Sequence, residues 1–501
     1  MKTYSREQFV KDVTAGIIVA IIALPLSIAL ALASGVGPEA GIFTAIVAGF
    51  VISALGGSSV QIAGPTAAFA TIVAGIVAKN GLDGLVIATI LAGIFLILMG
   101  LCHFGTLIRF IPYTITTGFT AGIAVTIVIG QLKDFFGVTY PDGVKPIETM
   151  EKLHAFVENC GTVNLSAVIV GVVSLAILII SPYIFKKIPG SLLAVVAGIL
   201  MVKFLPLKAS TIGDLYSISN ALPGFHLPAL SLAAVKDAIP NAFTIAVLAA
   251  IESLLSCVVA DGMINGKHRS DMELVAQGAG NIASALFGGI PATGAIARTA
   301  ANIKNGGRTP IAGMVHSITL VLVLVVLMPY AGMIPMPTIA AILFVVAYNM
   351  CQWRPFAHLI QTAPKSDILV LLVTFFLTVV FDLVVAIEIG MLLTCLLFMK
   401  RMSDETHVDS WTYVDDDSDA VNDHMQKLAK GIRVYEITGP LFFGAANAIE
   451  HIVVKDFTKC LVLRMRSVPA LDSTAMNALQ NLVKYCEAKG ITPIFSHVNE
   501  Q

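Results

Sequence analysis

Residues 285–305 read ALFGGIPATGAIARTAANIKN, and the organisation of the whole chain can be worked out from this stretch. An apolar segment runs into Gly288 and Gly289, is interrupted at Pro291 and resumes as small residues that include Arg298. The hydropathy pattern places this arginine inside a membrane, where a charged side chain costs about 2.5–3.5 kcal/mol on insertion scales. Arg298 is therefore the first candidate for a functional site.

The composition is that of a polytopic membrane protein. Hydrophobic residues make up 56% of the 501 residues and charged residues 13%, against about 25% charged in soluble proteins. The net charge of −1 provides no basic face for a nucleic-acid partner.

The seven cysteines form no C-x-x-C pair, so neither a metal site nor a disulfide framework is expected. No nucleophile–base pair or phosphate loop appears, so we expect no cofactor and no enzymatic activity.

Apolar segments of spanning or near-spanning length recur fourteen times and predict an all-α transmembrane domain over residues 1–402. Several are short and lie beside Gly and Pro, which is typical of discontinuous helices that meet near the bilayer midplane. The predicted segments are 13–35, 40–56, 60–78, 84–103, 113–132, 163–185, 189–205, 237–260, 274–288, 291–304, 310–330, 338–350, 365–382 and 384–400.

Basic residues orient these segments. With the N-terminus inside, fourteen Lys and Arg fall at cytoplasmic ends and loops and seven on the outside. This excess follows the positive-inside rule, so both termini are expected in the cytoplasm. The polar insert 133–162 is read as an exposed external loop with a helix near 146–159.

An internal repeat relates the two halves of this domain, about 12–206 and 237–402. SALGG at 53–57 and SALFGG at 284–289 are each followed by a proline and small residues. The copies lie about 231 residues apart, with seven predicted segments between equivalent points, so the second is inverted in the membrane. Matching Gly/Pro-interrupted segments of this kind indicate the binding site of a transporter.

The breaks predict an anion site. Helices that begin near Thr66 and Ala292 would direct free N–H groups, each end carrying about half a positive charge, at a common point. Arg298 would add a full charge and point back at its own helix start. The alternative is that Arg298 pairs permanently with a carboxylate.

Other polar residues surround this point. Glu252 lies in mid-segment with Ser256 on the same helix face, and a carboxyl there is either neutral or paired. It is expected to carry a proton in the transport cycle or to serve as a structural partner of Arg298. Gln61, Asn281 and Asn302 are expected to bind exposed backbone near the breaks.

A second, soluble domain follows. Residues 403–430 are polar and acidic and read as a linker or a strand-bearing entry to it. Residues 431–501 alternate strands (IRVYEI, CLVLRM, ITPIFSHV) with one helix closed by Gly490, which predicts a small α/β domain.

Three motifs resemble the sulfate permease (SulP) family of anion transporters, whose animal relatives include prestin: GPTAA at 64–68, IESLLSCVVAD at 251–261 and GGIPATGAIARTAANIKNGGR at 288–308. The resemblance implies a seven-plus-seven inverted repeat with core and gate domains that move as an elevator. It also implies a usually dimeric assembly and a cytoplasmic STAS domain.

Carried over by position, the resemblance implies that Thr66 and Ala67 face the anion from the third span, and Gly294, Ala295, Ala297 and Arg298 from the tenth. Glu252 takes the acidic position of the eighth span. The sodium-coupled bicarbonate branch is expected to have a hydroxyl residue where this chain has Ile296, which cannot ligate Na⁺. This difference favours coupling to H⁺. The IARTA motif at 296–300 is similar to that of bacterial family members that carry C4-dicarboxylates. The resemblance also implies that the protein lies in a bacterial inner membrane.

In the soluble domain, Asp472-Ser473-Thr474-Ala475 matches a loop that holds a phosphorylatable hydroxyl in anti-sigma antagonists, here Thr474. The alternative is an ordinary helix cap. The domain ends after what is an internal strand in the family pattern, so we expect a truncated STAS domain with an exposed apolar face unless a homodimer partner covers it.

Secondary active transport of a small anion is the leading hypothesis, with H⁺ as co-substrate and C4-dicarboxylate, sulfate or bicarbonate as cargo. Two alternatives share some of these features. An anion channel, including a voltage-responsive one, would use the same site, and a membrane-anchored regulator would act through Thr474. A Na⁺-coupled bicarbonate transporter is the remaining variant.

Overall fold

The computed structural model describes residues 4–411 except 107–111, 142–145, 185–188, 217, 219–220, 229–230 and 382, and residues 431–499 except 445–448, 450–451 and 453–457. The described chain forms two compact units, Met1–Gly390 and Met391–Gln501. The first unit is almost entirely helical and the second contains a small sheet. The acidic run at 415–417 lies outside the described residues.

The helices of the membrane part follow the predicted apolar segments closely. In chain order they are α1 (Arg6–Ala33), α2 (Pro38–Leu55), α3 (Ala67–Leu101), α4 (Tyr113–Phe136), α5 (Thr149–Glu158), α6 (Leu165–Ile184), α7 (Gly190–Phe204), α8 (Ile212–Leu215), α9 (Leu232–Ile264), α10 (Ser270–Leu286), α11 (Ile296–Lys304), α12 (Pro310–Ala331), α13 (Met336–Cys351), α14 (Trp353–Thr362), α15 (Lys365–Val380) and α16 (Leu383–Asp404). Eight helical stretches among the described residues are long and apolar enough to cross a membrane. The polytopic membrane fold is therefore confirmed, while the count of fourteen crossings stays a prediction.

Two predicted segments, the third and the fourth, are joined in α3. The helix is interrupted at Gly81, whose φ of 70° and ψ of −173° leave the helical region. This backbone conformation is one that glycine adopts without the penalty a Cβ would impose. The chain thus ends one helical stretch and begins the next without a loop.

Two short strands mark the breaks of the repeat. β1 (Ala63–Gly64) pairs antiparallel with β2 (Thr293–Gly294), with Ala63 opposite Gly294 and Gly64 opposite Thr293. The pairing satisfies backbone groups that no helix satisfies at this depth. It also corrects one expectation: the second helix begins at Ile296 rather than near Ala292, because residues 293–294 are held extended by the partner strand.

Packing divides the membrane helices into two groups. One group contains α1, α2, α3, α9, α10, α11 and α12, and the other contains α4, α5, α6, α7, α13 and α15. In the first group α3 packs on both α9 and α10, and α1 and α2 pack on α12. The two strands and both breaks belong to the first group, so one body contains the candidate site.

The second unit contains the C-terminal part of α16, a four-stranded mixed sheet and one further described helix. β3 (His407–Trp411), β4 (Ile432–Thr438), β5 (Cys460–Ser467) and β6 (Thr492–Ser496) lie in that order, with β3 antiparallel to β4 and the other pairs parallel. Helix α17 (Ser473–Ala488) connects β5 to β6. The predicted strands and helix are confirmed, and β3 shows that the entry segment contains a strand.

Candidate functional site

Two helix N-termini lie at the paired strands. Thr66 is the N-cap of α3 and Ala295 is the N-cap of α11, and neither side chain caps its own helix. The Ala295 amide donates to Ile62 O at 2.9 Å, so the two breaks are joined by backbone beyond the strands themselves. First-turn N–H groups of a helix have no intrahelical acceptor, which leaves both ends able to bind an anion.

Side-chain amides of Asn281 and Asn302 bind the backbone at the breaks, as predicted, whereas the Gln61 amide binds a carbonyl inside α9. Asn281 donates to Ala292 O at 2.9 Å and accepts from the Ala292 amide at 2.8 Å. Asn302 Nδ2 donates to Val60 O at 2.9 Å and Gln61 Nε2 to Ser253 O at 3.2 Å.

Glu273 on α10 is a structural carboxylate that the sequence reasoning missed. It is fully buried and accepts hydrogen bonds from the backbone amides of Gly57 (2.8 Å) and Ser58 (3.1 Å) and from Gln61 Nε2 (3.0 Å) and Gln277 Nε2 (2.9 Å). These contacts fix the turn that precedes β1. A buried carboxylate requires such donors because desolvation penalises its charge.

Helix α9 supports the second break through hydroxyl groups. Ser253 Oγ lies 2.6 Å from Thr293 Oγ1 and accepts from the Gly294 amide at 3.0 Å. A Cβ at Gly294 would displace the Gln61 amide, which binds Ser253 O and Glu273, so glycine allows this close approach. Ser256 donates to Thr299 Oγ1 at 3.4 Å, which makes it a link from α9 to α11.

Glu252 is joined to the first break. The Thr66 hydroxyl donates to Glu252 Oε2 at 2.8 Å, and both residues are only partly buried. Thr66 therefore connects the start of α3 to the middle of α9. The contact places the Glu252 carboxylate at the N-terminus of α3. Among the described residues, no other carboxylate has a hydrogen bond to Thr66 or Ala295.

Arg298 is the third residue of α11 and is 3% exposed. Its Nη2 donates to Pro65 O at 3.2 Å and to Ser27 Oγ at 3.3 Å, and Nη1 is buried without a hydrogen-bond partner among the described residues. Gly64 leaves the space that this guanidinium occupies. In the described part of the chain no carboxylate pairs with Arg298, so the alternative of a permanent ion pair with Glu252 is not present.

The predicted site residues differ in accessibility. Two residues at the start of α11, Ile296 and Ala297, are exposed. Thr66 and Glu252 are partly buried. The buried residues are Ala67, Gly294, Ala295 and Arg298. The structure thus brings Thr66 and Glu252 together at an accessible edge. Arg298 lies behind the first break and binds its backbone.

Several functional side chains could not be read from local sequence. Glu273, Ser253 and Thr293 are ordinary residues of apolar or capping stretches until the fold brings their partners, 40 or more positions away, to them. Asn281 and Gln61 carried a usable signal, because amide side chains inside predicted membrane segments are costly unless paired.

Paired discontinuous helices inside a helical membrane domain, with their N-termini at one accessible edge, define a membrane transport protein. The chain belongs to the sulfate permease family of anion transporters, whose family model matches residues 9–374, and a STAS domain matches residues 426–501.

Named relatives agree with this placement. The putative sulfate transporter YvdB of Bacillus subtilis is 41% identical over 495 residues, covering 96% of this chain and 90% of the relative. The bicarbonate transporter BicA of Picosynechococcus is 32% identical, covering 94% and 86%.

Solved structures share the fold. The transmembrane domain of a cyanobacterial bicarbonate transporter BicA is similar with a TM-score of 0.69 and 30% identity, over 76% of this chain and 98% of that one. The overall structure of SLC26A9 is similar with a TM-score of 0.87 over 100% of this chain and 86% of that one, at 18% identity. The predicted family and fold class are therefore confirmed.

Proposed function

We propose that this protein is an H⁺-coupled secondary active transporter of small anions, with sulfate, bicarbonate or a C4-dicarboxylate as cargo. The anion would bind at the N-termini of α3 and α11. Thr66, Ala67, Gly294, Ala295, Ala297 and Arg298 are the proposed binding residues, and Glu252 and Ser256 the coupling residues.

One observation carries the coupling proposal: the hydroxyl of Thr66, the N-cap residue of α3, donates to Glu252 at 2.8 Å. A carboxylate at this place competes with an anion for the same donor and repels it. An anion therefore binds more favourably when Glu252 is protonated, because two like charges close together in a poorly solvated site are costly. Linkage then requires that a bound anion favours a bound proton, which is the condition for symport.

The same contact explains how an empty carrier could return. Without an anion, an ionised Glu252 is stabilised by the Thr66 hydroxyl and by the positive end of α3. With an anion and a proton, the Thr66 hydroxyl is released to the substrate. For a monovalent anion such as bicarbonate, ionised Glu252 alone and protonated Glu252 with the anion give the site the same net charge, so neither state leaves the positive groups without a negative partner.

Sodium coupling is disfavoured by Ile296. This side chain is 41% exposed at the first position of α11, two residues after Gly294. It offers no oxygen, whereas Na⁺ is held in transporters by backbone and side-chain oxygens. A proton on Glu252 needs no such ligand set.

Arg298 supports the site in two ways. Its bonds to Pro65 O and Ser27 Oγ hold the residue before the α3 N-cap in place. Its buried charge adds to the partial charges of the helix ends and makes the site favourable for anions. The unpartnered Nη1 is available to a water or substrate oxygen, since buried donors are normally satisfied.

The substrate proposal rests on the relatives and on charge. The named relatives include a putative sulfate transporter and a bicarbonate transporter. A site made of helix ends and one arginine suits sulfate, bicarbonate and C4-dicarboxylates alike. We propose an elevator movement of the group with both breaks against the group formed around α4 and α13, because all site residues lie in the first group.

Uptake of radiolabelled sulfate, bicarbonate and succinate into proteoliposomes tests the transport proposal. We expect saturable uptake of at least one anion and competition by its analogues. An anion channel would instead give current that does not saturate in planar bilayers. No uptake or current for any of the three would contradict the proposed function.

The remaining proposals concern assembly and regulation. We propose a homodimer in the bacterial inner membrane with both termini in the cytoplasm. Thr474 is exposed at the second residue of α17, where a phosphate would meet the helix N-terminus. It is a proposed regulatory site.

A further inference from the structure

A cleft lined by both polar and apolar residues lies in the first unit, between the two groups of helices. It has a volume of about 170 Å³ and is lined by residues of α3, α4, α5, α9 and α15. One water molecule needs about 10–15 Å³ of cavity volume measured in this way. The cleft can therefore hold on the order of ten waters or a hydrated small anion.

Two ammonium groups line this cleft. Lys79 comes from α3 and Lys152 from α5, and neither has a hydrogen bond or ion pair to any part of the chain that the structure describes. Burial lowers the pKa of Lys152, an effect that nearby Glu151 partly offsets. A cation in this setting gains from an anionic partner.

The other polar groups of the cleft are compatible with an anion. Asn80, Thr149 and Asn241 offer amide or hydroxyl donors. The single carboxylate is Glu148, which caps α5 by accepting the Glu151 amide. The charged groups that line the cleft are therefore two lysines and one glutamate whose carboxylate is already engaged.

The cleft extends toward the proposed transport site. Thr71 in its wall lies four residues after Ala67 on α3, about 6 Å along the helix, and Thr244 lies eight residues before Glu252 on α9, about 12 Å. Lys79 lies two further turns along α3 from Thr71. The charge pattern places this part of α3, just before the interruption at Gly81, on the external side.

We infer that Lys79 and Lys152 form an outer anion-recruitment site that captures a small oxyanion from the external solution and delivers it to the site at Thr66. This inference rests on the proposed function and adds to it a separate site between α3 and the polar insert 133–162. The two lysines outnumber the one glutamate, and an excess of positive charge at a cleft raises the local concentration of anions and speeds their association.

The test is initial-rate uptake of radiolabelled sulfate, or succinate if sulfate is not carried, by intact cells that express the full chain. We expect K79Q/K152Q to raise KM about tenfold at low ionic strength and to leave the maximal rate within about twofold. Added salt should raise KM of the wild type toward that of the double variant. E148Q, which keeps an oxygen for the α5 cap, should lower KM.

K208Q is the matched control, since it removes a predicted external lysine that is not part of the cleft. An unchanged KM in the double variant would overturn the inference, and so would a loss of maximal rate with unchanged KM, which indicates a structural role. Equal KM increases in K208Q and in the double variant would also overturn it. Failure of wild-type uptake would instead contradict the proposed function, so the two failures are distinguishable.

Discussion

The hydroxyl of Thr66 and the carboxylate of Glu252 lie 2.8 Å apart although 186 residues separate them in the chain. The contact joins the N-cap of a discontinuous helix in one half of the repeat to the middle of a helix in the other. A donor that serves the carboxylate in one state and an anion in another is a direct way to couple two ligands.

Replacing Thr66 with Val should reduce anion uptake at least tenfold. The change removes a hydrogen bond to a charged group, which contributes about 1.5–3 kcal/mol, without a large change in volume. Thr66→Ser keeps the hydroxyl and should retain most of the activity. Initial rates in proteoliposomes measure both, and equal losses in the two variants would show that the hydroxyl is not responsible.

Arg298→Ala should abolish anion binding. The substitution removes the charge and the bonds to Pro65 O and Ser27 Oγ. Arg298→Lys keeps the charge but cannot reproduce the planar pair of donors, so partial binding is expected. The rise in melting temperature on adding the transported anion is a readout independent of transport. A wild-type rise in the Ala variant would remove Arg298 from the site.

The two breaks show what sequence could and could not predict. Gly288-Gly289 and Pro291 located the second break, and Asn281 was correctly expected to bind it. The start of α11 was placed four residues too early because β1 lies about 230 positions away and holds residues 293–294 extended. Pairing of that kind has no local signal.

The same limit applies to side-chain roles. The Gly/Pro break placed Arg298 near a helix start, but its bonds to Ser27 and Pro65 depend on how α1 and α3 pack. The soluble domain was easier to predict, because its alternation of strands and helix is local.

Glu273→Ala should destabilise the protein. It leaves the buried amides of Gly57 and Ser58 without their acceptor, at about 1–3 kcal/mol each. A melting temperature lower by several degrees in detergent is expected. Glu7→Ala is the control, because Glu7 forms only an exposed pair with Lys11 and its loss should leave the melting temperature unchanged. Equal melting of Glu273→Ala and wild type would contradict the assigned role.

Asp472 and Thr474 should separate capping from regulation. Asp472 accepts the amides of Ala475 and Phe443, each at 2.8 Å. Asp472→Ala should cost about 1 kcal/mol and speed hydrogen exchange at the start of α17 in the full chain. Thr474→Ala should leave exchange unchanged. If Thr474 is regulatory, Thr474→Glu should alter the uptake rate relative to Thr474→Ala; identical rates would reject that role.

The most direct test of the central claim is concentrative uptake driven by a pH gradient. Proteoliposomes with the membrane potential clamped are given an acidic exterior, and wild type is compared with Glu252→Gln, which keeps an acceptor for Thr66 but cannot release a proton. We predict that the wild type accumulates the anion above its external concentration. A Na⁺ gradient alone should not replace the pH gradient. Glu252→Gln should only equilibrate the anion across the membrane, at a rate that does not depend on the pH gradient. Accumulation driven by the pH gradient in Glu252→Gln, or equal wild-type uptake with and without the gradient, would contradict the account.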